Sequence, residues 1–248
     1  MAGSGQQPAS VPHGEEAPRI ESFDDWAHLL RGTGSGEHHR APAAEARPFR
    51  PLLRRPMALL HVVDDGREHG EIIRLRGDRL VIGRCDGDLV IPHDISMSPK
   101  HAAIDRLDDG AWLLSDLGSS GGTFVRVTSA RLRDGTTIRI GATVLRFQTV
   151  DVTESWLVEV PATGLGRRHE CHGPATTVGR EGCGCGIELR DPFVSPVHAE
   201  LHGSARGWRI DNSGTNGLWV RLDGPVRMTA PSQFLCGEQR FVFEPLAE

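Results

Sequence analysis

The sequence contains one series of short motifs twice, and this duplication constrains the fold more than any other feature. In the first copy, a strand-like run ending in VIGR is followed by SPKH and then by DLGSSGGTFV at residues 116–125. In the second copy, a run ending in TVGR is followed by SPVH and then by DNSGTNGLWV at residues 211–220. Equivalent residues lie 95 to 97 positions apart, so the whole unit is duplicated with small changes in its loops. We therefore expect one fold to occur twice.

Composition excludes several classes of protein. The 248 residues give room for two domains of ordinary size. A net charge of -5 argues against a nucleic-acid or anionic-membrane binder, which would carry a basic excess. The longest apolar run, residues 57–63, is too short to span a membrane, and the N-terminus lacks the features of a signal peptide. Five cysteines, an odd count, argue against a disulfide framework. We expect a soluble, cytoplasmic protein.

Residues 1–56 differ in composition and apolar pattern from the rest of the chain. They are rich in Gly, Pro, Ala and Arg and show little apolar periodicity, so we interpret them as a disordered arm and linker. Within them, residues 22–31 carry apolar side chains at helical spacing after a serine that could cap a helix. So short a helix is marginal alone in water. The segment is therefore compatible with two interpretations: an unstructured tail, or a docking helix that folds on a partner.

From Met57 onward the chain consists of short runs of β-forming residues. Asp-Gly and Gly-Gly turns separate several of these runs, and no segment shows a long helical period. Many short strands without helices between them are typical of β-sandwiches. The sequence therefore predicts an all-β fold of two tandem β-sandwiches with antiparallel sheets, over residues 57–150 and 155–246.

The repeated motifs resemble the forkhead-associated (FHA) family of phosphothreonine-binding domains, in the tandem arrangement of a bacterial-type protein. The family is marked by a Gly-Arg at a strand end, a Ser-Arg-x-His loop, and a Gly-Ser-Thr-Asn-Gly turn that opens a strand. Both copies also end with the family's closing pattern, in residues 132–147 and more loosely in residues 233–243. The resemblance implies twisted sandwiches of two antiparallel sheets that bind phosphothreonine peptides through their loops.

The second copy has the fuller set of binding residues. A phosphate dianion needs a guanidinium and short hydrogen-bond donors that converge from loops. The resemblance assigns the charged contact to Arg180 and further phosphate contacts to the hydroxyls of Ser195 and Thr215. The amide of Asn216 both donates and accepts, so it can hold the main chain of an extended peptide in register.

The first copy keeps the phosphate chemistry but lacks the residue that would clamp the peptide. Arg84, Ser98 and Ser120 fall on the family's Arg, Ser and Thr positions. Gly121 stands at the Asn position, where it offers no side chain to the ligand. We expect this site to lose an interaction of about 1–3 kcal/mol with the peptide.

Both copies depart from the family in the Ser-Arg-x-His loop. Pro99 and Pro196 replace the arginine, which removes a cation and a backbone donor from each site. Lys100, the only lysine in the chain, is expected to restore positive charge in the first copy, whereas the second copy has Val197 there.

Other residues of the motifs have structural interpretations. We interpret Gly83, Gly179 and Gly217 as residues that the turns require. His101 and His198 are spaced like catalytic bases, but no nucleophile or carboxylate stands at a matching offset near them. We therefore expect both histidines to be buried and to bridge loops.

Four possible zinc ligands lie within 15 residues: Cys171, His172, Cys183 and Cys185. Their spacing differs from that of the common zinc ribbon or finger, and the segment EGCGCGIEL is typical of a Gly-rich loop between strands. We expect no metal and no cofactor.

The sequence favours a non-enzymatic adaptor that binds phosphothreonine-containing proteins in Ser/Thr kinase signalling, mainly through its second domain. An alternative is a scaffold whose β-domains bind partner proteins irrespective of phosphate. A hydrolase or metalloenzyme ranks last, because the sequence has no P-loop, GxSxG or HExxH pattern. We expect neither nucleic acid nor membrane as a partner, and the oligomeric state stays open.

Overall fold

The structure is a computed structural model that describes residues 57–63, 70–151 and 154–246. These residues form an all-β fold, which confirms the fold class predicted from the strand-like runs. The predicted arm, residues 1–56 with its possible helix at 22–31, lies outside the described residues. In the part of the chain that the structure describes, no helix is long and apolar enough to cross a membrane.

The strands of the two repeats correspond one to one in chain order. The first repeat forms β1 (Ala58–Val63), β2 (Glu71–Leu75), β3 (Arg79–Gly83), β4 (Leu89–Val90), β5 (Ala102–Arg106), β6 (Trp112–Asp116), β7 (Thr123–Val127), β8 (Ser129–Leu132), β9 (Thr137–Ile140) and β10 (Thr143–Thr149). The second repeat forms β11 (Ser155–Glu159), β12 (Arg168–Glu170), β13 (Ala175–Arg180), β14 (Ile187–Leu189), β15 (Ala199–Ser204), β16 (Gly207–Asn212), β17 (Leu218–Arg221), β18 (Val226–Met228), β19 (Ser232–Cys236) and β20 (Gln239–Pro245).

The described strands form a 10-stranded sheet and two 5-stranded sheets. The order in the large sheet is β12-β11-β10-β9-β17-β7-β19-β20-β1-β2. The small sheets run β18-β6-β5-β3-β4 and β14-β13-β15-β16-β8. The pairs β3–β4 and β13–β14 are parallel and the other described pairs are antiparallel. Each small sheet packs on one half of the large sheet, which gives two sandwiches.

The two repeats exchange their last three strands. Strand β18 of the second repeat pairs with β6 of the first, with Met228 opposite Trp112. Reciprocally, β8 of the first repeat pairs with β16 of the second, with Leu132 opposite Trp208. The first sandwich therefore consists of β1–β7 with β18–β20, and the second consists of β11–β17 with β8–β10.

The sequence repeats and the sandwiches thus do not coincide. The predicted boundaries at residues 57–150 and 155–246 describe the repeats, and as the limits of independently folding domains they stay a prediction. In the structure, each sandwich is completed by strands that belong to the other repeat.

Each sandwich has its own apolar core, and each core contains side chains of both repeats. In the first core, the rings of Trp112 and Phe243 meet edge to face with 5.5 Å between their centroids. In the second core, the rings of Phe147 and Trp208 lie 6.1 Å apart. Burial of such side chains stabilises the fold by about 1.5–3 kcal/mol each. The stability of each core therefore depends on the exchanged strands.

The exchange starts where β7 and β17 pair in the middle of the large sheet. The two strands run antiparallel, with Val125 opposite Val220. Because they point in opposite directions, the segment that follows each strand leaves toward the other sandwich.

The exchange predicts that a disulfide can link the two repeats across one strand pair. Leu113 and Arg227 are direct partners in β6 and β18. Opposed Cα atoms of antiparallel strands lie about 4.5–5.5 Å apart, which is within the range that a disulfide spans. We expect the Leu113→Cys/Arg227→Cys variant to form this disulfide on oxidation, as measured by peptide mapping with mass spectrometry.

The matched control pairs Leu113→Cys with Arg131→Cys. Arg131 lies opposite Arg209 in the second sandwich, and Arg209 corresponds to Leu113 of the first. Residues 113 and 131 would therefore be partners if each repeat kept its own strands. A disulfide in this control and none in the first variant would show that the strands are not exchanged.

Candidate functional site

Three loops of each repeat are joined by hydrogen bonds into one cluster. They are the Gly-Arg strand end, the Ser-Pro-x-His loop and the polar turn before β7 or β17. We call the cluster of Arg84, Ser98 and Ser120 the first site. The second site is the cluster of Arg180, Ser195, Thr215 and Asn216.

The second site brings together the three residues that the sequence assigned to phosphate. The backbone N–H of Arg180, at the end of β13, donates to the carbonyl oxygen of Ser195 at 3.0 Å. The backbone N–H of Thr215 donates to the hydroxyl oxygen of Ser195 at 3.3 Å. The side chains of Arg180 and Thr215 are exposed, and Ser195 is half-buried between their loops. The backbones of the three residues therefore lie together at the surface, and the side chains of Arg180 and Thr215 are open to solvent.

Three hydrogen bonds fix the turn that carries Thr215 and Asn216. The side-chain amide of Asn216 donates to the carbonyl oxygen of Phe193 at 2.8 Å, which bridges two loops of the site. The indole N–H of Trp219 donates to the carbonyl oxygen of Asn216 at 3.0 Å. The guanidinium of Arg126, from the other repeat, donates to the carbonyl oxygen of Thr215 at 3.3 Å. The turn is therefore fixed through the side chain of Asn216 and through the carbonyl groups of Thr215 and Asn216.

The first site has the same connections between its loops. The backbone N–H of Arg84 donates to the carbonyl oxygen of Ser98 at 3.0 Å. The backbone N–H of Ser120 donates to the hydroxyl oxygen of Ser98 at 3.0 Å, and the two serine hydroxyls lie 3.2 Å apart. The structure therefore brings three of the four predicted residues of this site, Arg84, Ser98 and Ser120, together.

The turn of the first site lacks the bridge that Asn216 makes in the second. Gly121 takes that position, and a Cβ added to it would have Ser96 O, at 3.8 Å, as its nearest neighbour. In this turn Gly118 and Gly122 have positive φ values and Gly121 does not, so the backbone at residue 121 does not require glycine. Phe124, whose side chain has no N–H group, stands where the second site has Trp219. The first turn is therefore open where the second is fixed.

Lys100 is paired with a carboxylate. Its ammonium nitrogen lies 3.2 Å from Oδ2 of Asp86, and both side chains are more than half exposed. Asp86 belongs to the loop that follows Arg84, so it offsets part of the positive charge that Lys100 brings to the first site. A contact between Lys100 and phosphate stays a prediction.

Both motif histidines are fully buried and use both ring nitrogens. Nδ1 of His101 accepts from the backbone N–H of Ser98 at 3.1 Å, and Nε2 lies 3.2 Å from the carbonyl oxygen of Gly122. In the second site, His198 contacts the N–H of Ser195 and the carbonyl oxygen of Gly217 in the same way, at 3.0 Å each. Because Nδ1 accepts, Nε2 carries the proton. Each histidine ties the serine loop to the polar turn.

The glycines of the two Gly-Arg strand ends allow a close approach between loops. A Cβ on Gly83 would clash with the carbonyl oxygen of Pro99, and a Cβ on Gly179 would clash with that of Pro196. The absence of a side chain therefore lets the serine loop lie directly against the strand end, which places the adjacent arginine beside the serine.

Two aspartates that the sequence motifs did not indicate connect the site loops to exchanged strands. The carboxylate of Asp191 accepts from the N–H of Ala142 at 2.7 Å. In the same manner, the carboxylate of Asp94 accepts from the N–H of Glu238 at 2.8 Å. Both aspartates are buried, and each partner comes from the other repeat. Their separation of 97 positions equals that of the two site serines, so an alignment of the repeats could have found them.

The first turn also depends on Asp116, whose carboxylate accepts several hydrogen bonds. The hydroxyl of Ser119 donates to it at 2.6 Å and that of Thr123 at 2.8 Å. Burial raises the pKa of Asp116, but these hydrogen bonds together outweigh burial and hold the pKa below its ordinary value. The second turn has Gly214 and Leu218 at the two hydroxyl positions, so it is built differently.

The candidate zinc ligands do not form a metal site. Within the described residues, no group of three or more His, Cys, Asp or Glu side chains is arranged to hold a metal ion. Cys171 is buried, and burial raises the pKa of its thiol to about 12. Cys183 is exposed, and the thiol of Cys185 donates to the carbonyl oxygen of Pro196 at 3.1 Å.

Both repeats are similar to a known domain family. The FHA domain family matches residues 80–141 and 176–233. These segments contain both strand-end arginines, both serine loops and both polar turns. The two matches lie in the two repeats, in agreement with the duplicated motifs.

Curated proteins and solved structures with FHA domains are similar to this chain. The FHA domain-containing protein FhaB of Mycobacterium tuberculosis H37Rv is 34% identical over 99 residues, which cover 38% of this chain and 63% of the relative. FhaB of Mycolicibacterium smegmatis is 33% identical over the same shares. The crystal structure of the FHA domain of CT664 from Chlamydia trachomatis aligns with a TM-score of 0.34 and 13% identity, over 77% of this chain and 98% of that chain. The structure of Mycobacterium tuberculosis EmbR in complex with a low affinity phosphopeptide aligns with a TM-score of 0.34 and 14% identity, over 77% of this chain and 25% of that chain. The chain thus spans less than two thirds of these curated relatives.

The burial of His101 predicts how stability depends on pH. Burial lowers the pKa of His101 below its ordinary value of 6.5, while the hydrogen bond to Gly122 opposes this in part. Below about pH 6.5 the unfolded chain therefore binds a proton that the folded chain resists, so the free energy of unfolding falls as the pH drops. We expect urea unfolding between about pH 7.5 and 5.5 to show this loss, with a shallower slope for His101→Gln.

An NMR titration isolates this group from the other histidines. We expect the His101 imidazole to keep its proton on Nε2 alone below pH 6.5, because protonation of Nδ1 would remove the acceptor of the Ser98 N–H. Protonation of His101 at or above about pH 6.5 would contradict the prediction.

Proposed function

We propose that this chain, which is a tandem FHA-domain protein, is a non-enzymatic adaptor that binds phosphothreonine-containing proteins in Ser/Thr kinase signalling. FHA domains are phosphopeptide-binding signalling modules, and the chain carries two of them. We place its action in the cytoplasm and its main contact with the phosphopeptide at the second site.

The convergence of Arg180, Ser195 and Thr215 carries this proposal. A phosphothreonine has a charge of about -1.5 to -2 at neutral pH and three strong acceptor oxygens. An exposed guanidinium beside two hydroxyls matches those acceptors, and charge-assisted hydrogen bonds are about twice as strong as neutral ones.

The fixed turn supports the preference for the second site. Hydrogen bonds from Trp219 and Arg126 hold the carbonyls beside Thr215 and Asn216 before a ligand arrives. A turn ordered in advance loses less conformational entropy on binding, which increases affinity. Because Gly121 has no side chain, the first turn has neither the peptide contact expected of Asn216 nor the hydrogen bond that Asn216 makes between two loops.

Replacement of Arg180 tests the second site in the full chain. We expect Arg180→Ala to weaken binding of a phosphothreonine peptide with neutral flanking residues by about tenfold or more, because each lost hydrogen bond to a charged group contributes about 1.5–3 kcal/mol. Fluorescence anisotropy with a labelled peptide measures this. Treatment of the peptide with phosphatase should abolish binding, and binding that survives would favour a phosphate-independent scaffold.

Two arginine variants serve as references for this experiment. Arg84→Ala removes the equivalent cation of the first site, and we expect a loss of less than about threefold if the second site dominates. Arg240→Ala removes an exposed arginine of β20, outside both sites, and should leave the affinity unchanged. A folded Arg180→Ala chain that binds as tightly as the wild type would refute the proposal.

A reciprocal exchange of the clamp residue tests why the sites differ. In an Arg180→Ala background, we expect Gly121→Asn to raise affinity for the same peptide by about tenfold, equivalent to one interaction of about 1.4 kcal/mol. The backbone accepts this change, and an asparagine there can reach Ser96 O as Asn216 reaches Phe193 O. In the wild-type background, Asn216→Gly should lower affinity by a similar factor. A folded Gly121→Asn variant without any gain would show that the clamp does not explain the difference.

A further inference from the structure

A groove with a cavity volume of about 950 Å³ begins at the first site. Ser96, Ser120 and Gly121 line the end at the site, and Thr143, Val144 and Val160 line a part formed by the second sandwich. The groove therefore continues the first site along residues of both repeats.

The groove opens into the first site because Gly121 has no side chain. In the second site, the Asn216 amide spans the gap between the polar turn and the loop that carries Phe193. The equivalent gap in the first site lies between Gly121 and Ser96, and both residues line the groove. Glycine in place of asparagine thus removes the expected contact with the peptide and also the side chain that would close this end of the groove.

Three arginines line the groove. Arg146 of β10 is exposed and Arg221 of β17 is half-buried, and within the described residues neither has a carboxylate at ion-pair distance. Arg221 lies over Gly122, where a Cβ would clash with its side chain. The glycine therefore makes room for a guanidinium from the other repeat beside the first site.

Arg139 is the third arginine, and it is only weakly compensated. It is half-buried, and its Nε donates to the carbonyl oxygen of Gly141 at 3.1 Å. Burial lowers the pKa of Arg139, while the carboxylates of Glu238 and Asp191 oppose this. An anion in the groove would stabilise this guanidinium.

Two carboxylates also line the groove, and one of them is already paired. Glu159 accepts from His169 at 2.9 Å and lies 3.6 Å from Arg167. Three cations therefore face the exposed carboxylate of Glu238, so the groove keeps an excess of positive charge.

We propose that the first site and this groove together bind a phosphothreonine peptide that carries a second anionic side chain, held by Arg139, Arg146 and Arg221. The proposal rests on the phosphopeptide binding proposed above and gives the first site a ligand of its own. The second anion is either a carboxylate or a second phosphorylated side chain, since both accept hydrogen bonds from guanidinium groups.

The test uses the full chain with Arg180→Ala, so that the first site dominates the signal. Four labelled peptides share one phosphothreonine segment: one has neutral flanking residues, one has Asp and Glu, one has a second phosphothreonine, and one is acidic but unphosphorylated. We expect an anionic flank to raise affinity about tenfold over the neutral one, with the gain shrinking as ionic strength rises. A gain in affinity with either anionic flank supports the proposal, and the flank with the larger gain identifies the second anion as a carboxylate or a phosphate.

Arginine variants in the same background locate the effect. We expect Arg146→Gln/Arg221→Gln to remove the preference for anionic flanks, whereas Arg240→Gln should keep it. Arg146→Gln alone, at an exposed position, should reduce the preference by about threefold without affecting folding. Equal affinity for neutral and anionic flanks, a preference that survives the double variant, or equal binding of the unphosphorylated acidic peptide would each overturn the inference.

The wild-type chain separates this inference from the proposed function. If the wild type binds the neutral phosphopeptide while the Arg180→Ala chain binds none of the four, the inference fails and the proposed function stands. If the wild type binds no phosphopeptide at all, the proposed function itself fails.

Discussion

The antiparallel pairing of β7 with β17 is the constraint on which the rest of the structure depends. The chain passes from each polar turn directly into one of these strands, from Gly122 into β7 and from Gly217 into β17. Because the strands run side by side in opposite directions, each delivers the following segment to the other sandwich. The pairing therefore decides which strands close each core and which side chains reach each site.

The same pairing explains why neither site is built by one repeat alone. Arg126 and Arg221 occupy equivalent positions in the two strands, and each reaches the polar turn of the other repeat. Asp94 and Asp191 add a second crossed contact, because each holds a hairpin that the other repeat supplies. The exchange keeps contacts of the same kind in both sandwiches, since domain swapping replaces an element by its equivalent.

The local features could be predicted from the sequence, whereas the exchange could not. Strand patterns and turn residues indicated the all-β class, and the resemblance to FHA domains implied that Arg180, Ser195 and Thr215 converge. An alternating pattern specifies which face of a strand is buried, but not which of two similar copies it pairs with. Leu132 and Met228 illustrate this, because both are apolar and occupy corresponding positions opposite a tryptophan.

The difference between the two sites follows from a few substitutions on one symmetric scaffold. In the second site, Trp219 and Asn216 supply N–H donors that fix the turn and bridge its loops. In the first, Phe124 and Gly121 have no side-chain N–H donors, and the turn is instead held by hydrogen bonds to the carboxylate of Asp116. A turn anchored on its buried side leaves its outer side open, and this is the side on which the groove begins. Glycine at position 121 therefore belongs to a different binding surface. Without a side chain there, the first site is continuous with the guanidinium groups of the groove, whereas an asparagine that bridged the two loops would separate them.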